Sequence, residues 1–252
     1  MSQVKYKVVT RPKLLTQARA AYCPGCNYGI VTAIIAEVLD ELNVGGRAIG
    51  LAAPSCSAGI QWQLNIDWMS AAHGRAAPTA TGIKRVHPDA VVFSVQGDGD
   101  MAAIGLGNTL HAMMRSEKLT NIFLNNAGYG QTGGQMAPTT LLGMRSTTTP
   151  DGRDASKQGY PLHMAEMAAS LKGVAYSARW TVHNPYNYQQ AKRAIKIAFQ
   201  KQLDGVGFST VELLCPCPTN WALSPTDSLK YLEEKMIAEY PLGEFKNVDK
   251  LE

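Results

Sequence analysis

The sequence predicts an α/β fold: a mostly parallel sheet flanked by helices. Two observations carry it. Short apolar runs at 48–53, 90–95, 121–124 and Phe208–Leu214 have the length and composition of buried strands. Between them lie segments with helical spacing, and strands alternating with helices build parallel sheets covered on both faces.

The elements follow in chain order. Residues 28–43 carry Ile30, Val31, Ala33, Ile34, Ile35, Val38, Leu39 and Leu42, which predicts a largely buried helix. A short strand is expected at 48–53 and a longer one at 90–95. A helix is predicted over 101–116, where Gly105 and Gly107 allow close approach. The strand at 121–124 is followed by a stretch, 128–160, rich in Gly, Thr and Pro and poor in periodicity. A loop this long within a compact domain is usually functional or mobile. Helices are expected at 161–171 and at 186–203, where Ala191, Ala194, Ile195, Ala198, Phe199 and Leu203 share a face. A last strand, Phe208–Leu214, precedes a helix at 224–239, opened by Ser224 as N-cap and Pro225 at the first helical position. The tail, 240–252, is expected to reach a partner as an arm. Residues 1–252 are thus read as a single domain with a C-terminal arm.

Composition sets the class. The chain has 252 residues, 45% hydrophobic and 17% charged, which is globular composition with enough chain for a large core. The net charge of +4 is spread out, so nothing favours nucleic acid as a partner. Residues 1–12 are polar and basic with no apolar run behind them, and no stretch is apolar enough to span a bilayer. The expectation is a cytoplasmic chain without a membrane partner. Five cysteines in such a chain argue against a disulfide framework.

The strand at 90–95 runs into Gly97-Asp98-Gly99-Asp100, and the strand at 121–124 into Asn125-Asn126. Three readings compete. A plain strand-to-helix turn would use Gly for the backbone and Asp as a cap. A dinucleotide fingerprint fits Gly97-x-Gly99-x-x-Ala102 loosely, but its acidic partner would be Glu117, which precedes the next strand. It would also set Asp98 and Asp100 against a diphosphate, and like charges repel without a cation between them. The third reading supplies the cation: Mg²⁺ takes hard oxygen ligands, and adjacent strand ends can bring a carboxylate, an amide oxygen and a backbone carbonyl together. An EF-hand is excluded, because Ala102 and Ala103 stand where that loop needs oxygen ligands and Gly.

The Gly-Asp-Gly to Asn-Asn spacing resembles the thiamine diphosphate and Mg²⁺ motif of thiamine-dependent enzymes. By that resemblance Asp98, the Asn126 side chain and the Gly128 carbonyl bind Mg²⁺, although relatives more often carry Ile or Val at position 128. Gly97, Gly99 and Asp100 would lie near the diphosphate.

Cys23 and Cys26 form Cys-Pro-Gly-Cys before the first helix. Cys56 follows a short strand in Ser-Cys-Ser, and Cys217 follows the last one in Cys-Pro-Thr. A thioredoxin-like pair would need a strand before Cys23, and 14–21 does not read as one. Buried free thiols suit Cys215, here assigned to packing, better than the pair. Four thiolates from three loops suit an iron–sulfur cluster, and zinc stays open on spacing alone.

Together these motifs resemble the thiamine-binding (β) subunit of the 2-oxoacid:ferredoxin oxidoreductases. The resemblance extends over "HGRAAPTATGIKRVHPD", "YGQTGGQMAPTT" and "GRDASKQGYP", spanning most of 22–221. It implies a thiamine diphosphate-binding fold, with Cys23, Cys26, Cys56 and Cys217 holding a [4Fe–4S] cluster. It implies oxidative decarboxylation of a 2-oxoacid to acyl-CoA and CO₂, with coenzyme A as co-substrate and ferredoxin as electron acceptor. The segment "GMRSTTTPDGR" and the tail are most similar to branched-chain (2-ketoisovalerate) members, with pyruvate as the runner-up substrate.

No Glu is placed here to serve the aminopyrimidine, so an α subunit is expected to supply that carboxylate. Further clusters belong to a ferredoxin-like subunit or domain, giving a hetero-oligomer with each αβ unit doubled. His73 is either a hydrogen-bonded structural residue or a polar group acting on the cofactor ring or substrate. Tyr129, Thr132 and Gln135 line the cofactor pocket or order the loop, and Ser57 is expected to reach the diphosphate. Two alternatives remain: a non-oxidative thiamine-dependent decarboxylase or synthase with a zinc or vestigial thiol site, and a non-catalytic partner with a degenerate cofactor fold.

Overall fold

The computed structural model describes residues 10–251, so most of the basic stretch at 1–12 lies outside the described residues. Helix α1 (Tyr28–Glu41) leads through β1 (Ala48–Ala52) to β2 (Asp67–Ser70), α2 (Ala76–Val86) and β3 (Val91–Gly97). Then come α3 (Leu106–Met114), β4 (Thr120–Asn125), α4 (Ala155–Gln158), α5 (Met164–Ser170) and β5 (Val174–Thr181). The chain continues through α6 (Pro185–Leu203), β6 (Phe208–Leu214), α7 (Pro218–Trp221), α8 (Pro225–Tyr231), α9 (Ile237–Glu239) and β7 (Gly243–Asn247). The strands form one seven-stranded sheet in the order β2-β1-β3-β4-β6-β5-β7. All pairs are parallel except β5 with β7.

Strands β3, β4 and β6 are buried at every position because helices cover both faces. Side chains alternate between the two sides. Phe93, Val95, Ile122 and Leu124 join the core beneath α1 and α6, and Val92 and Phe123 join the opposite core with Met113 and Met164. A third cluster packs Leu141 from the long loop against Leu214, Leu232, Met236 and Tyr240.

Helix starts follow local chemistry. Asn184 caps α6 through the Asn187 N–H, with Pro185 in the first turn. Ser224 caps α8 through the Asp227 N–H, as expected for Ser-Pro. The helix expected over 101–116 is instead a π-helical turn, Gly99–Ile104, broken at Gly105 before α3. The one expected over 161–171 shortens to α5. Within the segment expected as an arm, 243–247 form β7, which pairs antiparallel with β5 at the edge of this chain's own sheet. Among the described residues, no helix is long and apolar enough to cross a membrane.

Candidate cofactor site

Parallel strands end at one rim of the sheet, so the loops after β1, β3, β4 and β6 meet there. The chain leaves β1 for β2, then returns past β1 to β3, so its direction reverses between β1 and β3. Such a reversal opens a crevice at the carboxyl ends. That crevice holds about 50 Å³, and Ser55, His73, Gly97, Asp98, Gly99, Asp100, Asn126, Gly128, Tyr129 and Thr132 are among its lining residues.

Asp98 is 1% exposed. Its Oδ1 accepts the Asn126 N–H at 3.1 Å. Its Oδ2 accepts the Gly128 N–H at 3.0 Å and the Thr139 hydroxyl at 2.5 Å. Burial pushes its pKa up to about 7, against the opposing pull of these donors. Oδ1 accepts a single bond and so keeps room for a cation. A buried carboxylate with no cationic partner among the described residues, beside an amide and the Gly128 carbonyl, has the donor chemistry that Mg²⁺ takes.

The two amides divide the work. Asn125 turns inward: its Nδ2 donates to Glu212 Oε1 at 2.7 Å and its Oδ1 accepts the Ala127 N–H at 3.0 Å. This holds Ala127 at φ +57°, a conformation costly for a residue with a Cβ. The turn leaves Asn126 facing the crevice. The long loop closes over it from behind: Thr140 donates to the Ala127 carbonyl at 2.7 Å. That loop is organised by Arg153, 5% exposed, whose guanidinium donates to the carbonyls of Pro138, Thr140, Gly159 and Tyr160.

Asp100 lines the crevice but is engaged by protein. It accepts from the Gly74 N–H and from Gln96 Nε2 at 2.7 Å, and it lies 3.4 Å from His73 Nδ1. Burial raises its pKa, offset by those bonds and by His73. His73 Nδ1 is itself buried and is not aligned for a hydrogen bond. Gly74, at φ +73°, touches the Gly105 backbone where a Cβ could not fit. The Tyr129 ring lies on Gly99, where a Cβ would come within 2.0 Å of Cε1. Thr132 donates to Gln135 Oε1 at 2.6 Å, so it both lines the crevice and orders the loop. Ser57 is a correction. Its hydroxyl donates to the Val95 carbonyl at 2.9 Å, and Ser55 lines the crevice instead.

Beside the crevice lies a cavity of about 320 Å³ lined by Cys23, Cys26, Cys56 and Cys217. Gly130, Ser55, Cys56 and Asn126 belong to both walls. Burial raises the thiol pKa values of Cys26, to about 12, of Cys56, to about 11, and of Cys217, and neighbouring sulfurs add to it. Buried in this way these three thiols keep their protons unless a cation is bound. Cys217 accepts from Asn220 Nδ2 at 3.3 Å, and the same amide donates to the Gly130 carbonyl at 2.8 Å. Trp221 Nε1 donates to the Asn126 carbonyl at 3.1 Å. Cys215 is fully buried in the core under α1, in line with a packing role.

Among the described residues, no group of three or more His, Cys, Asp or Glu side chains is drawn together as a metal site. The crevice set has one carboxylate with an amide and a carbonyl, so it is not such a group. The thiols share a cavity without closing on one point.

Residues 55–213 match the family described as thiamine pyrophosphate enzyme, C-terminal TPP binding domain. The chain is 35% identical over 251 residues to the 2-oxoglutarate synthase subunit KorB of Methanocaldococcus jannaschii, covering 92% of this chain and 88% of that one. It belongs to the thiamine diphosphate-binding subunits of the 2-oxoacid:ferredoxin oxidoreductases. The ketoisovalerate oxidoreductase subunit VorA of Methanothermobacter thermautotrophicus is 43% identical over 226 residues, 90% of this chain and 47% of that protein. The chain therefore spans about half the length of that relative. The fold matches a chain of the 2-oxoglutarate:ferredoxin oxidoreductase from Magnetococcus marinus, whose structure has 2-oxoglutarate, coenzyme A and succinyl-CoA bound. The TM-score is 0.79 at 22% identity, over 95% of this chain and 86% of that one.

Thr139, Thr140, Arg153, Ser55, Asn220 and Trp221 join the candidate site without having been singled out by sequence. The signal for three of them was present: the loop that carries Arg153 and the two threonines is the long segment at 128–160.

Proposed function

We propose that this chain is the thiamine diphosphate-binding subunit of a 2-oxoacid:ferredoxin oxidoreductase, converting a 2-oxoacid and coenzyme A to acyl-CoA and CO₂ with electrons passed to ferredoxin. The observation that carries the reading is the shared wall: a crevice holding a buried, unpaired carboxylate adjoins a cavity lined by four thiols.

Asp98, the Asn126 side-chain oxygen and the Gly128 carbonyl would hold Mg²⁺, which would supply positive charge for a diphosphate. Gly97 and Gly99 leave room for the cofactor, with Asp100, Tyr129 and Thr132 along the wall. His73 lines the same crevice as the polar group for the ring or substrate. Bound thiamine diphosphate supplies the electron sink for decarboxylation. Cys23, Cys26, Cys56 and Cys217 would hold a [4Fe–4S] cluster: four soft ligands from three loops suit it, and an amide N–H already points at one sulfur. This chain orients both centres, and the thin wall keeps them close.

The aminopyrimidine carboxylate is assigned to an α subunit, and further clusters to a ferredoxin-like subunit or domain. The 43% identity to a ketoisovalerate oxidoreductase subunit supports a branched-chain 2-oxoacid as substrate.

The test is anaerobic purification of the assembled complex, with thiamine diphosphate, Mg²⁺, iron and acid-labile sulfide measured, then turnover across a 2-oxoacid panel. Four iron and four sulfide at this subunit, with branched-chain 2-oxoacids preferred, are expected. Zinc without iron would favour a non-oxidative decarboxylase or synthase. No thiamine diphosphate in the intact complex would end the reading.

A further inference from the structure

Arg179 is fully buried at mid-strand in β5, and it faces Glu212 on β6, 1% exposed. Its Nε lies 2.9 Å from Glu212 Oε2, close enough to pair though not aligned as a hydrogen bond. Its terminal nitrogens donate to both oxygens of Glu166 and to the Pro241 carbonyl. The guanidinium carbon lies 5.1 Å from the centre of the Tyr240 ring and 5.0 Å from that of Phe245. A buried ion pair adds little net stability over an apolar pair of the same volume, so its place in the core calls for another reason.

Two limbs leave this cation, one ending on the turn that carries Asn126 and the other on the Asp98 carboxylate. Through Glu212, the first reaches Asn125 Nδ2 at 2.7 Å, and Asn125 holds the Ala127 N–H, so the turn that presents Asn126 is fixed from both sides. Through the ring stacked on Arg179, the second runs from the Tyr240 hydroxyl to the Thr139 carbonyl at 2.6 Å, and the Thr139 hydroxyl donates to Asp98 Oδ2. Tyr240 is fully buried, and its hydroxyl has this bond as its anchor. Arg179 thus stands behind Asp98 and Asn126 at once.

We propose that Arg179, Glu212 and Tyr240 form a buried brace that positions Asp98 and Asn126, which makes the C-terminal segment a working part of the cofactor site. This rests on the assignment of Asp98 and Asn126 to Mg²⁺. The three are positioning residues. None touches the crevice; Tyr240 acts through Thr139, the direct partner of Asp98, and loss of a direct partner commonly alters metal affinity by about 10–100-fold.

The test uses the assembled complex and measures the Mg²⁺ concentration for half-maximal thiamine diphosphate retention, with the melting temperature alongside. Tyr240→Phe removes one hydroxyl and keeps the stacked ring. The Mg²⁺ requirement should rise about 10-fold, in the range for outer partners of a metal ligand. Glu212→Gln keeps the shape, weakens the pairing with Arg179, and should raise the requirement in the same direction. A lowered melting temperature with an unchanged Mg²⁺ requirement in both variants would overturn the brace. Asp98→Ala is the control. If it retains thiamine diphosphate as well as the unmodified complex does, the metal assignment itself fails, which is a separate result.

Discussion

The crevice and the thiol cavity share a wall but are built differently. Asp98 is gripped by two N–H groups and a hydroxyl, and Asn126 sits on a turn fixed by Asn125 and Thr140. That geometry grows out of adjacent central strands. The sulfurs come from three separate loops, and Cys23 is exposed. One side-chain donor, Asn220, reaches a sulfur, and the four do not converge. The lesson is that one site is built on the ends of central strands, while the other is gathered from loops.

The sharpest way to break this contrast is at the wall of each site. In Gly99→Val the new Cβ collides with the Tyr129 ring, and thiamine diphosphate retention should fall at least 100-fold, about 3 kcal/mol of binding. Retention unchanged would mean that the cofactor does not sit in this crevice. Cys56→Ser comes next. Iron at this subunit should be lost while thiamine diphosphate retention stays within about 3-fold, under 1 kcal/mol. Loss of both together would show that the centres assemble as one unit.

Arg153→Ala probes how far the crevice depends on its loop. Six buried or half-buried carbonyl contacts lose their donor, and the variant should be destabilised by about 3 kcal/mol. Thermal unfolding should shift down by roughly 6–12 °C for a chain of this size. A shift under 2 °C would detach the loop from the site. The smallest effect is expected at Asn220→Ala. The lost N–H···S bond, worth about 1 kcal/mol, should lower the midpoint potential of the cluster by about 40 mV in a redox titration followed by electron paramagnetic resonance. An unmoved potential would place Asn220 with Gly130 alone.

The legible parts of the molecule were those where apolar runs meet glycine or proline. The path from β3 through α3 to β4 is of this kind, and so are α1, α6 and the Ser224 cap. The missed elements have polar residues in buried places. β5 reads Val-Ala-Tyr-Ser-Ala-Arg-Trp-Thr, and a strand with Ser177 and Arg179 in it gives no apolar run. Both are buried because Glu212 pairs with Arg179 and the Ala165 carbonyl accepts from Ser177. α2 hides behind Pro78, Gly82 and small alanines, and β2 has four residues. β7 sits in a charged tail and is a strand because β5 offers an edge.

Within the site, motif residues were legible as a set, but their directions were not. Two aspartates and two asparagines look equivalent in sequence. Only packing shows that Asn125 faces Glu212, that Asp100 secures the Gly74 turn, and that Ser57 bonds to Val95.

Gly130 lies in the partition between the two cavities, and a Cβ there would come within 3.2 Å of Asn126 Nδ2 and 3.3 Å of Cys56 Sγ. Under the proposed function, the gap between the two centres would be bounded at this point by main chain. Widening it there would call for remodelling the loop.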